Sequence, residues 1–138
     1  MSNSILGREY LISILEPTDD RHEKAKTVSM SLDNYQQVTS EMVLTELLNA
    51  FCTRGKFFRQ MVLNVVDDLR SDPNVEIIPQ STQLFDQAYQ FYRQRPDKQY
   101  SLTDCASMAI MKEKGIDQVL THDHHFQQEG FIALLRDK

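Results

Sequence analysis

Three acids in this 138-residue chain, Glu46, Asp104 and Asp123, stand where an α/β protein concentrates its chemistry. Glu46 lies on an apolar helical segment that follows a short strand-like run, Asp104 in the first turn of another helix, and Asp123 just beyond a further strand-like run. In open α/β sheets ligands bind beyond the carboxyl ends of the strands, so these acids are candidates for one shared site. Carboxylates that converge from distant segments raise each other's pKa, a cost that a bound cation removes. Mg²⁺ or Mn²⁺ is the matching occupant, because hard cations take oxygen ligands and keep waters that can attack a phosphodiester. Each acid also has a plainer reading. Asp104 can close the capping box begun by Ser101, and Asp123 can be a loop acid. Glu46, between Thr45 and Leu47 in an apolar helix, is the least comfortable of the three as a surface residue.

The groups around these acids add little by themselves. His122, His124 and His125 flank Asp123, but H-D-H-H matches no common zinc spacing. Two basic stretches, Arg54, Lys56 and Arg59, then Arg93, Arg95 and Lys98, read either as solvated helix ends or as groups that position phosphates beside an acidic pocket. Fifteen Lys and Arg against 20 Asp and Glu give a net charge of −5, which repels polyanions in bulk, so any contact with nucleic acid must be local.

Strands alternating with helices are needed to place these residues, and the chain reads that way. Ser4-Ile5-Leu6 is a strand feeding a helix with Tyr10, Leu11, Ile14 and Leu15, stopped at Glu16-Pro17. Asp19 to Leu32 reads as a polar helix ended by Asp33-Asn34. Gln37-Val38-Thr39 is a second strand, and from Ser40 a strong amphipathic helix runs through Leu44, Leu47 and Phe51 to its end near Arg54-Gly55. Phe57 to Leu69 forms a helical hairpin with it and leaves an exposed apolar patch. Val75 to Ile78 is a third strand, Ser81 opens a helix with Leu84, Ala88 and Phe91, and Ser101 opens another that Gly115 closes. Gln118 to Thr121 is a fourth strand, His122 to Gly130 a polar connection, and Phe131 to Leu135 a fifth strand. This alternation implies a mainly parallel sheet covered by helices.

With 41% apolar and 25% charged residues the chain is globular rather than disordered or low-complexity, and its length suits one domain. Cys52 and Cys105 sit in apolar runs without a CxxC, which predicts core thiols and a reducing compartment. No apolar run is long enough to span a membrane and no leader pattern opens the chain, so a cytoplasmic location is expected.

The stretches "TSEMVLTELLNAF" with Glu46, "YSLTDCASMAIMKEKGIDQVLTHDHHF" with Asp104 and Asp123, and the closing "GFIALL" resemble, in order and spacing, the PIN-domain family. Within it they are similar to the toxins of VapBC-type toxin–antitoxin pairs. The resemblance implies a single domain over residues 1–138, of three-layer α/β/α form with a central, mainly parallel sheet of about five strands. It implies a ribonuclease dependent on Mg²⁺ or Mn²⁺, in which Glu46, Asp104 and Asp123 hold the metal and activate water for cleavage of RNA. It also implies a homodimer neutralised by a small antitoxin protein. Ser101 and Thr121 fall where similar proteins support the acids by hydrogen bonding, and Asp97 lies in a loop often close to the site.

The resemblance breaks at Gly7. Family members usually begin with a strand ending in Asp followed by Thr or Ser, and that Asp is a principal metal ligand; "SILGREYLISILEP" places Gly7 there. Either Glu9, two positions on, reaches back toward the metal, or the site is impaired. Swinging a carboxylate in from the following turn demands geometry that metal sites seldom leave loose, which favours impairment. Glu9 is equally an ordinary helix-start acid, favoured by the helix dipole. Gly7 therefore keeps a second function open: a catalytically inactive PIN-like protein that binds an antitoxin or RNA without cutting it. A small-molecule enzyme has neither a Gly-rich phosphate loop nor a nucleophile motif behind it.

Overall fold

The computed structural model of the chain describes residues 3–16, 36–121 and 123–135. The expected helix from Asp19 to Leu32, its Asp33-Asn34 stop, Pro17 and His122 lie outside the described residues. Eleven elements follow one another in the remainder. Strand β1 (Asn3–Leu6) leads into helix α1 (Arg8–Leu15), and β2 (Gln36–Ser40) into α2 (Glu41–Ala50) and α3 (Gly55–Ser71). Then come β3 (Val75–Ile78), α4 (Thr82–Arg93), α5 (Leu102–Lys114), β4 (Gln118–Leu120), a short α6 (His124–Gln128) and β5 (Ile132–Ala133).

The five strands form one sheet in the order β3-β2-β1-β4-β5, every pair parallel. In register, Ile5 lies opposite Val38 on one side and Val119 on the other. Because successive residues of a strand face opposite sides, each strand feeds two cores. Ile5, Val38 and Val119 pack with Leu84, Ala88 and Phe91 of α4 and with Cys105, Met108 and Met111 of α5. Leu6 and Leu120 pack with Leu11 and Leu15 of α1, Val43, Leu44 and Leu47 of α2, and Val62 of α3. The result is the expected three-layer α/β/α architecture.

Local signals set the helix starts. The Ser40 hydroxyl accepts from the Val43 amide at 3.2 Å, and the Ser81 hydroxyl from the Leu84 amide at 3.0 Å. Helix α5 has the full capping box at Ser101 and Asp104, and ends at Gly115 with φ of 69°, a left-handed geometry that a side chain would resist.

Four expectations need correction. Gly55 does not close α2; a turn over residues 51–54 does, and Gly55 opens α3 with φ of 91°. Cys52 falls in that turn and is exposed, so of the two thiols Cys105 alone is a core residue. The connection after β4 contains α6, because the Asp123 carboxylate caps it and Phe126 anchors it in the core. The last strand shrinks to Ile132–Ala133, since β4 ends at Leu120, where Thr121 turns its amide back to the Val119 carbonyl at 3.0 Å. Among the described residues no helix is long and apolar enough to cross a membrane.

Candidate active site

Strand β1 sits in the middle of the sheet: the chain leaves it through α1 toward β2 on one side, while β4 lies on the other. This is a topological switch point, where the loops after two neighbouring strands part and open a crevice at their carboxyl ends. Gly7 follows β1 and Thr121 follows β4. A Cβ built on Gly7 would lie 3.6 Å from the Leu120 carbonyl oxygen and 3.8 Å from the Thr121 Cβ, which places both loops at one crevice. The buried Thr39 hydroxyl donates to the Leu6 carbonyl at 3.1 Å and fixes β2 to the end of β1 there.

Asp104 and Asp123 meet around a single imidazole. His125 Nδ1 is 3.6 Å from Asp104 Oδ2 and 3.3 Å from Asp123 Oδ1. Both carboxylates are held locally. Asp104 Oδ2 accepts from the Ser101 amide at 3.1 Å while the Ser101 hydroxyl accepts from the Asp104 amide at 3.0 Å. Asp123 Oδ1 accepts from the His125 amide at 3.1 Å, and the Asp123 amide donates to the hydroxyl of buried Thr121 at 3.1 Å. Burial pushes the Asp104 carboxyl above the ordinary aspartate range, with the Asp123 charge acting the same way and the Ser101 hydrogen bonds opposing it. Burial also pushes the adjacent Cys105 thiol up to about 11. Asp104 thus sits where an anion is poorly solvated and a cation would be welcome.

Glu46 is answered differently. One oxygen accepts from Arg8 Nη1 at 2.8 Å and the other from the Thr103 hydroxyl at 2.7 Å. It therefore borders the pair through the residue preceding Asp104, with a guanidinium already against its charge. Arg8 and Thr103 are the participants that sequence reading missed; it singles out His125 beside Asp123 but sets it aside, because H-D-H-H matches no common zinc spacing. Arg8 carried a signal, since its positive charge directly follows Gly7 at the carboxyl end of β1.

The other expected residues are distributed around this centre. Asp97 is exposed and 3.9 Å from Lys98. Glu9 lies in the first turn of α1; its side chain is outside the described residues. Lys56 is exposed. Arg54 pairs with Glu16 at 2.6 Å and stacks over Phe58, and Arg93 bonds the Tyr89 hydroxyl at 2.8 Å. Arg95 makes a two-pronged pair with Glu129, at 2.7 and 3.1 Å, and lies over the Phe91 ring. Tyr100 donates its hydroxyl to the same carboxylate at 3.1 Å. Its ring meets His125 edge-on with centroids 5.5 Å apart.

Asp123, His124 and His125 each offer a ligand atom, and those atoms lie within 4.8 Å of one another. Among the described residues, His125 Nδ1 is one of two buried side-chain polar atoms with no hydrogen-bond partner; the other is Ser4 Oγ. That nitrogen faces the carboxylates of Asp123 and Asp104 at ion-pair distances, so its surroundings are anionic and suit a cation.

Comparison with known proteins supplies independent information. A family model described as PIN domain matches residues 9–131. The 23S rRNA-specific endonuclease VapC20 of Mycobacterium tuberculosis, in strains CDC 1551 / Oshkosh and H37Rv, is 31% identical over 119 residues, 84% of this chain and 86% of that protein. The crystal structure of M. tuberculosis VapC20, a sarcin–ricin loop cleaving toxin, superposes with a TM-score of 0.82 at 24% identity, covering 95% of this chain and 97% of that one. DNA-bound VapBC from Salmonella typhimurium gives 0.64 at 16% identity, with 96% of each chain covered.

Proposed function

The chain belongs to the PIN-domain family, and from that membership we propose that it is an endoribonuclease toxin of a type II toxin–antitoxin pair. It would cleave RNA phosphodiesters with a divalent cation, at a rate lowered by the missing carboxylate of Gly7. The observation that carries this reading is the Asp104–His125–Asp123 cluster at the switch point of the sheet. Asp104 and Asp123 would hold Mg²⁺ or Mn²⁺. Once bound, the cation supplies positive charge at the scissile phosphate and a more acidic water. The Ser101 amide holds the Asp104 carboxylate, the His125 amide holds the Asp123 carboxylate and the Thr121 hydroxyl fixes the Asp123 backbone before any cation arrives, which is the preorganisation such a site needs. Glu46 fixes the first turn of α5 through Thr103; with Arg8 against it, its net charge toward a cation is reduced.

Relatives support the choice of substrate and partner. VapC20 is a 23S rRNA-specific endonuclease, and folded RNA is accordingly the proposed substrate. Lys56 and Arg93 are exposed and available for phosphates, whereas Arg95 is committed to Glu129. VapBC complexes from S. typhimurium and Rickettsia felis support a small antitoxin as partner. An open groove of about 550 Å³ between α2, α3 and β3, lined by Leu44, Leu48, Val66, Val75 and Ile77, offers it apolar surface. Phe57 and Leu63 on α3, 70% and 47% exposed, suit a homodimer contact.

The test is cleavage of a ribosomal stem-loop RNA by the purified chain and by Gly7→Asp, each with Mn²⁺, with Mg²⁺ and with chelator. The expected result is metal-dependent cleavage that rises in Gly7→Asp. Cleavage indifferent to chelator would overturn the metal reading. A chain inert both as it stands and as Gly7→Asp, yet still binding RNA or antitoxin, would establish the second reading, a binding protein, which Gly7 and the Arg8–Glu46 pair favour.

A further inference from the structure

Helix α4 carries three exposed rings that lie outside both the core and the candidate active site, and we infer that they form a stacking track for unpaired bases of the RNA. This rests on the ribonuclease reading above and adds to it where, and by what chemistry, the substrate is held. Phe85, Tyr89 and Tyr92 are 45%, 43% and 53% exposed. They recur at i, i+4 and i+7 and so make one stripe along about 10 Å of helix. The inward face of the same helix is Leu84, Ala88 and Phe91, so the packing of α4 is complete without them. The Phe85 and Tyr89 rings are nearly parallel, 9° apart in plane with centroids at 6.2 Å. The Arg93 guanidinium lies 4.9 Å from the Tyr89 centroid, and its Nη2 donates to the Tyr89 hydroxyl at 2.8 Å.

Position, charge and composition commit this stripe to RNA. At its last ring, Tyr92 lines a small cavity of about 70 Å³ together with Arg95, Lys98 and Tyr100. The Tyr100 ring in turn meets His125, which faces Asp104 and Asp123, so the stripe is joined to the candidate active site through one side chain. Between Tyr92 and Tyr100 the chain carries Arg93, Arg95 and Lys98 against Asp97 alone, a local excess of positive charge on a chain of net charge −5. Arg95 is spent on Glu129, which leaves Arg93, exposed beside Tyr89, as a cation at the stripe itself. All three apolar positions of the stripe are rings and none is aliphatic. Every base has a face that stacks on a ring, and only an unpaired base offers it, so the track favours loops and single strands over duplex.

The experiment uses the full chain with chelator present, so that RNA is bound and not cut, and follows a fluorescein-labelled ribosomal stem-loop RNA by anisotropy. Tyr89→Ala and Tyr92→Ala are each expected to weaken binding about fivefold or more, the loss of one stacked base, while Tyr92→Phe stays within about twofold. The same stem closed as a plain duplex, without its loop, should compete at least about fivefold more weakly. Photo-crosslinking of the unaltered chain to the RNA carrying 4-thiouridine in its loop should give adducts on α4, which decides the question even where a variant folds poorly. Crosslinks confined to other elements, or alanine variants that bind as tightly as the unaltered chain, overturn the inference, and metal-dependent cleavage then leaves the nuclease reading standing. Sedimentation in which the alanine variants lose a dimer and keep their RNA affinity assigns the stripe to a second copy of the chain and overturns it equally. An unaltered chain that neither binds nor cuts the RNA overturns both.

Discussion

Two acidic clusters lie next to each other in this fold and meet opposite fates. Glu129, after α6, receives both prongs of Arg95 and the Tyr100 hydroxyl, with Lys112 Nζ at 3.8 Å. Those bonds, the Arg95 pair first, hold its carboxyl below the ordinary glutamate range despite burial. Asp104, likewise shielded from water, has the Ser101 amide and hydroxyl for local support and a second carboxylate, Asp123, nearby; its carboxyl is pushed up instead. Tyr100 touches both clusters, through its hydroxyl on one side and its ring against His125 on the other. A carboxylate whose charge is met within the chain stabilises the fold, and one whose charge is left wanting is available to a ligand.

Asp104→Asn and Asp123→Asn test the open cluster, with the largest expected effect. Each should reduce metal-dependent RNA cleavage about a hundredfold or more, the scale of losing part of a cation's hold on the transition state. With chelator present, Asp104→Asn should melt no lower than the unaltered chain at neutral pH. The sign follows from the raised carboxyl: its ionisation costs stability as pH climbs through its folded value, so the variant's advantage grows upward from the usual aspartate value of about 3.9 and vanishes below it. Melting curves across that range check this, and an Asp104→Asn variant that unfolds easily would erase the contrast between the clusters.

Glu129→Gln probes the closed cluster. Loss of the charge-assisted bonds to Arg95 should cost about 2 to 3 kcal/mol at neutral pH in denaturant titrations. Here the folded carboxyl titrates below its unfolded value of about 4.3, so its contribution is present above that value and is lost as pH falls through the folded one. The gap between the two proteins should accordingly close in acid. A gap that persists there would mean the network acts through shape rather than charge.

The smallest effect belongs to Gly7→Asp on stability. Gly7 caps α1 in extended geometry, φ −93° and ψ 162°, without a side-chain bond, and a Cβ meets neighbours at ordinary contact distances. An Asp there adds a capping oxygen worth a few tenths of a kcal/mol over Gly. In metal-free protein a melting point within a degree or two of the unaltered chain is expected, so any large gain seen only with Mn²⁺ reports the restored carboxylate.

Much of this was legible in the sequence because it is decided locally. The Ser101–Asp104 capping box, the Gly115 stop and the amphipathic helix after Ser40 depend on residues a few positions apart, and the structure has them all. Parallel pairing followed from the alternation of strands and helices. Short, weakly patterned pieces were misjudged: Cys52 reads as part of an apolar helix although a turn exposes it, and α6 is hidden in H-D-H-H-F because its start depends on one capping acid and its anchor on Phe126.

What the sequence determined by itself, then, is which acids are present, the glycine at position 7 and the elements that carry them. Only the tertiary structure decided which charges meet. That Arg8 answers Glu46, that Arg95 is spent on Glu129, and that His125 stands between Asp104 and Asp123 all depend on contacts between segments far apart in the chain. Pairing of charges is a matter of a few ångströms and of local solvation, and spacing along a sequence fixes neither.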